Sequence, residues 1–400
     1  MKLNGGLILN LKKSKKGYRY IYILLFFSFF IFSRNTLSTF GLGIVNNVII
    51  LLFIIASVLF LFTEKKIKKC YTYIYIYICY CLVLFLISPL LSVNSSYGVA
   101  IIGITNLILF LPFWIKMYKE VDSEFIIKVL AGIGLINAVG ALLQYFISPD
   151  IFGLVSNSIY GNPDNINKEN VTKRAISFIA SPQSLSIVLA VTFILIMDII
   201  SKKKLFWILA APLVFISGVL TVSKAFFVFI AIYYSIKYLK FSMLLKLLWV
   251  MTALVAIVYF YPGFFERVQY IPYFLLNIES YSAFPIWLDA ISYPSTLSNV
   301  MIGSGLGLFS RGAQYIFDYQ VLGGSTESFI LQLYLEVGVI GLLLFLAMIT
   351  YPILQNLSAK REYTAMILSF VVVGLFAPSI YGFSAGYFFY SLLVLSCSRK

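Results

Sequence analysis

The chain has 400 residues, of which 61% are hydrophobic and only 11% are charged, and its net charge at pH 7 is +15. Because such a chain cannot present a polar surface to water on all sides, its composition excludes a soluble globular protein and predicts an all-α polytopic membrane protein. The basic residues form short clusters between apolar runs, which is typical of membrane topology signals. We therefore expect membrane lipids as partners, and no nucleic acid.

The residue types also exclude several kinds of site. The sequence contains no histidine, which removes His-based acid–base catalysis, Ser-His triads and most zinc sites. The four cysteines, Cys70, Cys79, Cys81 and Cys397, lie in or beside apolar runs, and we see neither a disulfide framework nor a metal-ligand spacing among them. We expect no metal and no cofactor, so any chemistry must use carboxylates, Lys, Arg, Tyr or backbone dipoles.

The N-terminus has the charge order of a signal peptide, with six basic residues before a short apolar run. No small-residue cleavage site follows this run, so we predict a retained first span. Further apolar windows follow along the chain, and together they predict about twelve transmembrane helices. The windows are 19–33, 40–62, 71–92, 97–115, 125–147, 175–199, 205–221, 225–241, 245–262, 326–350, 363–379 and 382–397.

The distribution of basic residues orients these spans. An even number of spans puts both termini on one side, and that side carries 23 of the 30 Lys and Arg residues. By the positive-inside rule this side is cytoplasmic. We therefore predict a multi-pass protein of the cytoplasmic (inner) membrane with both termini in the cytoplasm. The cations left on the outer side are Arg34, Lys168, Lys173, Arg174, Lys224, Arg267 and Arg311.

The predicted layout divides the chain into three parts. Residues 1–262 contain spans one to nine, residues 263–325 form a large extracytoplasmic loop before the tenth helix, and residues 326–400 contain spans ten to twelve. A second long outer connection covers 148–174. Long ordered loops usually carry function. Because the loop at 263–325 contains aromatic and Pro-rich pieces, we expect a folded cap with amphipathic helices.

Within this loop, residues 303–307 read GSGLG. A nucleotide-binding loop would follow a strand and be followed by Lys-Ser/Thr, neither of which is present, and this loop lies on the wrong side of the membrane for ATP. We therefore predict a tight turn that needs the conformational freedom of glycine.

Three outer cations lie at or near predicted helix starts: Arg174, Lys224 and Arg311. Helix starts offer unpaired N–H groups and a positive dipole end, and added cations make good anion sites there. Together with Glu327 these cations suggest an outward-facing pocket for a pyrophosphate-bearing substrate and a general base. The alternative for Arg174 and Lys224 is that they extend to lipid headgroups. For Glu327 it is an ordinary first-turn acid after an N-cap serine.

A second acid, Glu336, follows Glu327 in the same apolar run. At 1.5 Å per residue the two acids differ in depth by about 13 Å, which puts Glu336 near the middle of a hydrocarbon layer about 30 Å thick. Because an ionisable group is costly there, we expect Glu336 to have a structural role, paired or hydrogen-bonded within the bundle.

Three parts of the chain together resemble the O-antigen ligase and polymerase superfamily of bacterial surface-polysaccharide enzymes. They are RAISFIASPQSLSIVLA at 174–190, LTVSKAFFVFI at 220–230, and the pair MIGSGLGLFS at 301–310 and ESFILQLYLEVGVIGLLLFL at 327–346. The family's usual forms are an Arg before a Pro-containing span, Thr-x-Ser-Arg at a helix start, and a Gly-x-Gly-x-Gly-x-Phe loop leading to a helix with Glu-x-Gly-x-x-Gly. Span count and the late outer loop extend the resemblance to the whole chain, and it implies a glycosyltransferase C-like fold.

The departures from the family pattern favour one branch of it. Where ligases have His-Asn, this chain has Glu327-Ser328, so the resemblance is to a polymerase more than to a ligase. Lys224 replaces the Arg of Thr-x-Ser-Arg and keeps the charge without the bidentate geometry. The Arg that often precedes a Trp in the long loop is absent before Trp287, and Arg267 and Arg311 are candidates for its role.

The resemblance implies polymerisation of polyprenyl-pyrophosphate-linked oligosaccharide repeats into O-antigen, capsule or exopolysaccharide on the outer face of the membrane. Arg174 and Lys224 would hold the pyrophosphate, Arg311 or Arg267 would complete the clamp, and Glu327 would be the catalytic base. Its partners would include a chain-length regulator and a flippase. Rival interpretations are a lipid-linked oligosaccharide flippase or other transporter, an O-antigen ligase, and a structural membrane subunit.

Overall fold

The structure is a computed structural model. It describes residues 48, 69–108, 111–148, 151, 174–179, 181–200, 205–238, 284–310, 313–314, 317–319, 321–322, 326, 328–356, 361–377, 380–381 and 383–397. The predicted spans at 19–33 and 245–262 lie outside these residues, and so does the span at 40–62 except for residue 48.

Every regular element of the described residues is helical, which confirms the predicted fold class at that level. The helices are α1 (Lys69–Leu91), α2 (Tyr97–Leu107), α3 (Leu111–Glu120), α4 (Ser123–Phe146), α5 (Pro182–Ile194, continued by a π-helix at Leu195–Ile200), α6 (Leu205–Leu220), α7 (Lys224–Tyr238), α8 (Phe284–Ser292), α9 (Leu297–Ile302), α10 (Phe329–Asn356), α11 (Arg361–Gly374) and α12 (Phe383–Cys397), with a 3₁₀ turn at Ser177–Ile179.

Four of these helical segments are long and apolar enough to cross a membrane: Cys70–Leu91, Ser123–Phe146, Pro182–Ile200 and Phe329–Gln355. Such segments are those of a helical membrane protein. The total of twelve spans and the orientation of the termini stay predictions.

One predicted span differs from the structure. The apolar window at 97–115 contains the end of one helix and the start of another, because α2 ends at Leu107 and α3 begins at Leu111. Ile108 leaves the helical conformation, with φ −138° and ψ −17°. Composition alone could not reveal this break, since the residues on both sides of it are apolar.

The chain forms two compact units. Unit one contains residues 1–63 and 110–221. In its described part, helices α4, α5 and α6 all pack against one another. A Cβ on Gly134 of α4 would overlap the side chain of Thr192 on α5. Ser217 of α6 donates a hydrogen bond to the carbonyl oxygen of Ala138 at 2.9 Å. Small residues and interhelical hydrogen bonds of this kind are typical of helix packing in membranes.

Unit two contains residues 64–109 and 222–400. Its helix α10 packs against α1, α9, α11 and α12, while α7 packs along α11. Aromatic rings fill the core between these helices. The centroid of the Phe345 ring on α10 lies 5.7 Å from that of Tyr77, 5.3 Å from that of Phe329 and 6.1 Å from that of Phe389.

A disulfide joins Cys70, at the start of α1, to Cys397, at the end of α12, and the two Cα atoms lie 5.7 Å apart. This Cα separation is within the usual range for disulfides. The expectation that the cysteines form no disulfide framework is wrong for this pair. The reason is that the two cysteines are 327 residues apart, so only the folded chain brings them together.

Candidate functional site

In unit one, the segment that carries Arg174 is fixed by backbone hydrogen bonds. The side-chain oxygen of Gln144 on α4 accepts the N–H groups of Ile176 at 2.8 Å and Ser177 at 2.9 Å. Ala175 N–H donates to the carbonyl oxygen of Leu220 at 3.1 Å. Ser177 has φ +48° although it is not a glycine, and such conformations persist only where the surroundings impose them. The backbone segment that carries Arg174 is therefore held in place by hydrogen bonds.

Arg174 itself is half-buried, and its Nε donates to the carbonyl oxygen of Thr221 at 3.1 Å, just beyond the end of α6. A cation at a helix C-terminus is favourable because the free carbonyl groups there carry negative partial charge. The sequence predicts a helix start directly after Arg174. Instead α5 begins at Pro182, where Ser181 accepts the N–H of Ser184 as an N-cap, and the helix end that Arg174 contacts belongs to α6.

In unit two, Lys224 is the first residue of α7 and is exposed. The turn before it includes Val222 at φ +49°. The prediction that this cation lies at a helix start is confirmed. Arg174 belongs to unit one and Lys224 to unit two.

The glycine-rich stretch at 303–307 forms the tight turn that the sequence predicts. Gly303, Gly305 and Gly307 have φ values of +87°, +119° and +77°, which side chains rarely adopt. Space is limiting as well: a Cβ on Gly303 would lie 2.3 Å from the carbonyl oxygen of Glu336, and one on Gly307 would lie 2.2 Å from that of Val99. We call residues 303–310 the glycine loop.

Helix α10 is broken at Gly338, which has φ +67° and ψ −173° within an otherwise apolar helix. Beside the break, two carbonyl groups of α10 accept hydrogen bonds from outside the helix. The carbonyl oxygen of Leu335 accepts a hydrogen bond from the N–H of Ser304 at 2.8 Å. The carbonyl oxygen of Val337 accepts one from the hydroxyl of Tyr80 on α1 at 2.7 Å. The glycine loop is thus docked on the break, and a Cβ on Gly338 would lie 2.4 Å from the carbonyl oxygen of Met301.

Glu336, two residues before the break, is fully buried. Its carboxylate accepts the N–H of Gly307 at 2.8 Å and that of Phe309 at 3.3 Å, both in the glycine loop. It also accepts hydrogen bonds from Gln332 Nε2 at 3.1 Å and from the hydroxyl of Tyr381. The expectation that Glu336 is hydrogen-bonded within the bundle is confirmed, and four donors satisfy the two oxygens of a buried carboxylate.

Tyr381 lies in the connection between α11 and α12. Burial, and then the nearby Glu336 carboxylate, raise the pKa of Tyr381 well above its ordinary value. The hydroxyl therefore keeps its proton and remains a donor to Glu336.

The described part of the predicted cap is folded onto α10. It contains the helices α8 and α9, which pack against α10; that this region is a large extracytoplasmic loop stays a prediction. Trp287 of α8 donates its indole N–H to the carbonyl oxygen of Thr326 at 2.7 Å. A buried hydrophobic cluster connects α8 and the glycine loop with α10. Its residues are Ala290, Leu308, Phe309, Val321 and Leu335.

Three predicted site residues, Arg267, Arg311 and Glu327, lie outside the described residues. Their described neighbours Thr326 and Ser328 are buried. Among the described residues, no group of three or more His, Cys, Asp or Glu side chains could hold a metal ion.

Sequence reasoning missed several side chains that build this arrangement. Hydrogen bonds reach Val337 from Tyr80, and Glu336 from Tyr381 and Gln332. The hydroxyl oxygen of Ser88 accepts the N–H of Leu306 at 3.1 Å. Tyr80 and Ser88 lie more than 200 residues from their partners along the chain, so no local pattern could identify them. Gln332 had a local signal, because it precedes Glu336 by one helical turn.

In comparisons with known proteins, no family model matches the chain and no curated protein matches it.

Proposed function

We propose that the protein is a polymerase that joins polyprenyl-pyrophosphate-linked oligosaccharide repeat units on the outer face of the cytoplasmic membrane. The product would be O-antigen, capsule or exopolysaccharide. The growing chain is transferred from its lipid carrier to the acceptor sugar of a new lipid-linked repeat, and polyprenyl pyrophosphate is released.

The observation that carries this proposal is the contact between Glu336 and the N–H of Gly307. These residues belong to two of the stretches that resemble the polymerase family, the glycine loop and the Glu-x-Gly helix. Although 29 residues separate them, they form one buried arrangement around a helix break. The motifs thus have a shared structural reason to occur together, which supports reading them as one signature.

The reaction requires the protein to orient the substrates and to stabilise developing charge. The acceptor hydroxyl oxygen bonds to the anomeric carbon of the donor's reducing-end sugar, the bond from that carbon to the pyrophosphate oxygen breaks, and the electron pair leaves with the pyrophosphate. The hydroxyl proton passes to a base. Because the leaving group brings its own activation, positioning and electrostatic stabilisation supply the remaining catalysis.

The residue roles in this proposal follow the resemblance. Arg174 and Lys224 bind pyrophosphate oxygens through charge-assisted hydrogen bonds, and Arg311 or Arg267 completes the clamp. Glu327 accepts the proton.

A lipid-linked oligosaccharide flippase is the second candidate, and the broken helix α10 favours it. Transporters often place substrate sites at discontinuous helices near the middle of the membrane. At this break, however, four protein donors occupy the Glu336 carboxylate. A carboxylate filled in this way offers little to a transported substrate, so we favour the polymerase.

Deleting the gene and sizing the surface polysaccharide tests the proposal. A polymerase mutant exports and displays single repeats, whereas a flippase mutant loses all exported repeats. A ligase mutant accumulates long chains that stay on the lipid carrier. Only the first outcome supports the proposed function, and restoring the gene should restore chain length.

A further inference from the structure

Helices α1 and α10 define a common depth scale in unit two. They pack antiparallel: the ring centroids of Tyr73 and Tyr351 lie 5.0 Å apart, and further along α1 the ring of Tyr80 lies 2.7 Å from where a Cβ on Gly341 would be. Tyr80 and Gly341 are at the midpoints of the two membrane-spanning segments, to within one residue. The middle of the membrane therefore lies near this pair.

The break in α10 lies inside the hydrocarbon layer on this scale. Gly338 is three residues from Gly341, which is about 5 Å at 1.5 Å per residue, whereas the layer extends about 15 Å to either side of its middle. A Cβ on Gly338 would lie 2.4 Å from the carbonyl oxygen of Met301 and 2.5 Å from the backbone nitrogen of Gly303. The end of α9 and the start of the glycine loop therefore reach the same depth.

The chain comes to this depth from one surface and returns toward the same surface. Before α9, Trp287 of α8 donates its indole N–H to the carbonyl oxygen of Thr326, which precedes α10. After α9, the N–H of Leu306 donates to Ser88 of α1. Ser88 is eight residues beyond Tyr80, which is about 12 Å from the middle of the membrane. Because α1 and α10 are antiparallel, both contacts lie on the same side of that middle.

The glycine loop has the features that non-helical backbone needs at this depth, where it must be buried in protein and its polar groups must be paired. All eight of its residues are buried, and seven of its eight backbone N–H groups donate to acceptors in the described part of the chain. Its side chains pack as well, since Leu306, Leu308 and Phe309 are at most 1% exposed. The hydroxyl of Tyr319 donates to the carbonyl oxygen of Leu308 at 2.9 Å.

Helix α9, in contrast, has no buried residue. Leu297 is 78% exposed, and Met301, which follows it on the same face by one helical turn, is 40% exposed. Exposed side chains of the neighbouring spans near this depth are also apolar, such as Val83 on α1 and Leu343 on α10. Residues 290–310 contain no charged side chain, as expected for a segment within the hydrocarbon layer.

We propose that residues 297–310 form a re-entrant segment and that the face of α9 with Leu297 and Met301 is an interaction surface for the acyl chains of membrane lipids. This part of the predicted extracytoplasmic loop then lies within the membrane and not in the water outside it. The proposal depends on the spans of α1 and α10 and goes beyond the proposed reaction, so its test needs no enzymatic activity.

Single nitroxide labels can test this in the full-length protein, reconstituted into phosphatidylcholine vesicles. Cys79→Ser removes the exposed native thiol, Cys81 is buried, and Cys70 is bonded to Cys397. A label therefore reports only from an introduced cysteine. Power saturation then compares collisions of the label with O₂, which concentrates in hydrocarbon, and with a polar nickel complex, which stays in water.

Met301→Cys and Leu297→Cys are the test variants, and both replace exposed side chains that the fold does not need. Leu343→Cys is the lipid control, and Asn94→Cys is the water control, because Asn94 is exposed in the turn after α1. The ratio of O₂ to nickel collisions at position 301 should approach that at 343. It should exceed that at 94 by at least about tenfold, the factor that an exclusion of about 1.4 kcal/mol produces.

Position 297 should give a ratio between those at 301 and 94, because four residues of α9 bring it about 6 Å nearer the surface. A ratio at 301 as low as that at 94 would show that water covers α9 and would overturn the proposal. A higher ratio at 297 than at 301 would also overturn it, since α9 would then not run inward toward Gly303. If Met301→Cys does not fold, the comparison of Leu297→Cys with Asn94→Cys decides alone.

Discussion

The Nε of Arg174 lies 3.1 Å from the carbonyl oxygen of Thr221. One edge of the guanidinium group therefore caps the C-terminal end of helix α6. A guanidinium group has five N–H donors in a planar fork. One cation can therefore cap a helix and also contact an anion. Substitutions must separate these two tasks.

We predict that Arg174→Gln and Arg174→Ala both abolish or strongly reduce polymer formation, with protein abundance near wild type. The amide of Gln can still donate to a helix-end carbonyl group but carries no charge, and losing the cap interaction costs only about 0.3–1 kcal/mol. Gel analysis of chain length beside immunoblots of the membrane fraction measures both quantities. Normal chain lengths in the Gln variant would show that capping is the only task of Arg174.

Lys224→Ala should likewise stop polymer formation, whereas Lys224→Arg should retain activity if the resemblance to the polymerase family holds, because that family commonly has Arg at this position. Lys224 is exposed at the first residue of α7, so neither change disturbs the core. Lys128→Ala is the control, since Lys128 is an exposed lysine whose Nζ lies 2.8 Å from Glu124. Wild-type chain lengths in Lys224→Ala would favour the alternative that Lys224 contacts lipid headgroups and does not bind substrate.

Glu327→Gln should slow repeat addition by purified protein by more than about tenfold, because removing a general base typically costs 10²- to 10⁴-fold. Glu124→Gln provides the comparison, since Glu124 is a first-turn acid of α4. Losing such an acid costs at most about 1 kcal/mol of helix stability and leaves catalysis nearly intact. A Glu327 variant that retains more than about a tenth of the wild-type rate would contradict its assignment as the base.

Those features of the fold and site that depend on local patterns are predictable from the sequence. Continuous apolar runs predict the helices at 71–92 and 125–147, because length and composition determine a membrane span. The turn at Gly303 follows from the density of glycines, and the helix start at Lys224 follows from the preceding Thr and Ser. The cost of a buried acid is enough to predict that Glu336 has partners.

The identity of those partners is not predictable from one sequence. Glu336 bonds to Gly307 and Tyr381, which lie 29 and 45 residues away on opposite sides of it along the chain. The break at Gly338 was also missed, because a single glycine in an apolar helix usually costs about 1 kcal/mol and leaves the helix intact. The contact of Arg174 with the end of α6 depends on the packing of a third helix, α4, which fixes the segment through Gln144.

Gly307→Ala should be strongly destabilising, and Gly132→Ala should not. At position 307 the new Cβ meets a carbonyl oxygen and the backbone has φ +77°, so clash and conformational strain of about 1–3 kcal/mol combine. At Gly132 of α4 nothing lies within 4 Å of an added Cβ, and alanine is favoured over glycine in a helix by up to about 1 kcal/mol. Thermal unfolding in detergent compares the two; equal midpoints would show that the glycine loop is not packed as described.

The predicted orientation can be tested with introduced cysteines. Because 23 of the 30 basic residues lie on the predicted cytoplasmic side, Asn165→Cys and Gly312→Cys should react with an impermeant thiol reagent in intact cells, after permeabilisation of any outer membrane. Ser358→Cys should react only after the cells are broken. The reverse pattern would invert the layout and place the predicted site in the cytoplasm.

The bond between Cys70 and Cys397 turns most of the chain into a covalent ring. Residues 110–221, the second segment of unit one, belong to this ring, although both cysteines that close it belong to unit two. A protease that cuts the backbone once anywhere inside the ring releases no fragment until the disulfide is reduced. On the predicted orientation both cysteines lie toward the cytoplasm, where thiols are normally kept reduced, so whether the ring is closed would depend on the redox state of that compartment.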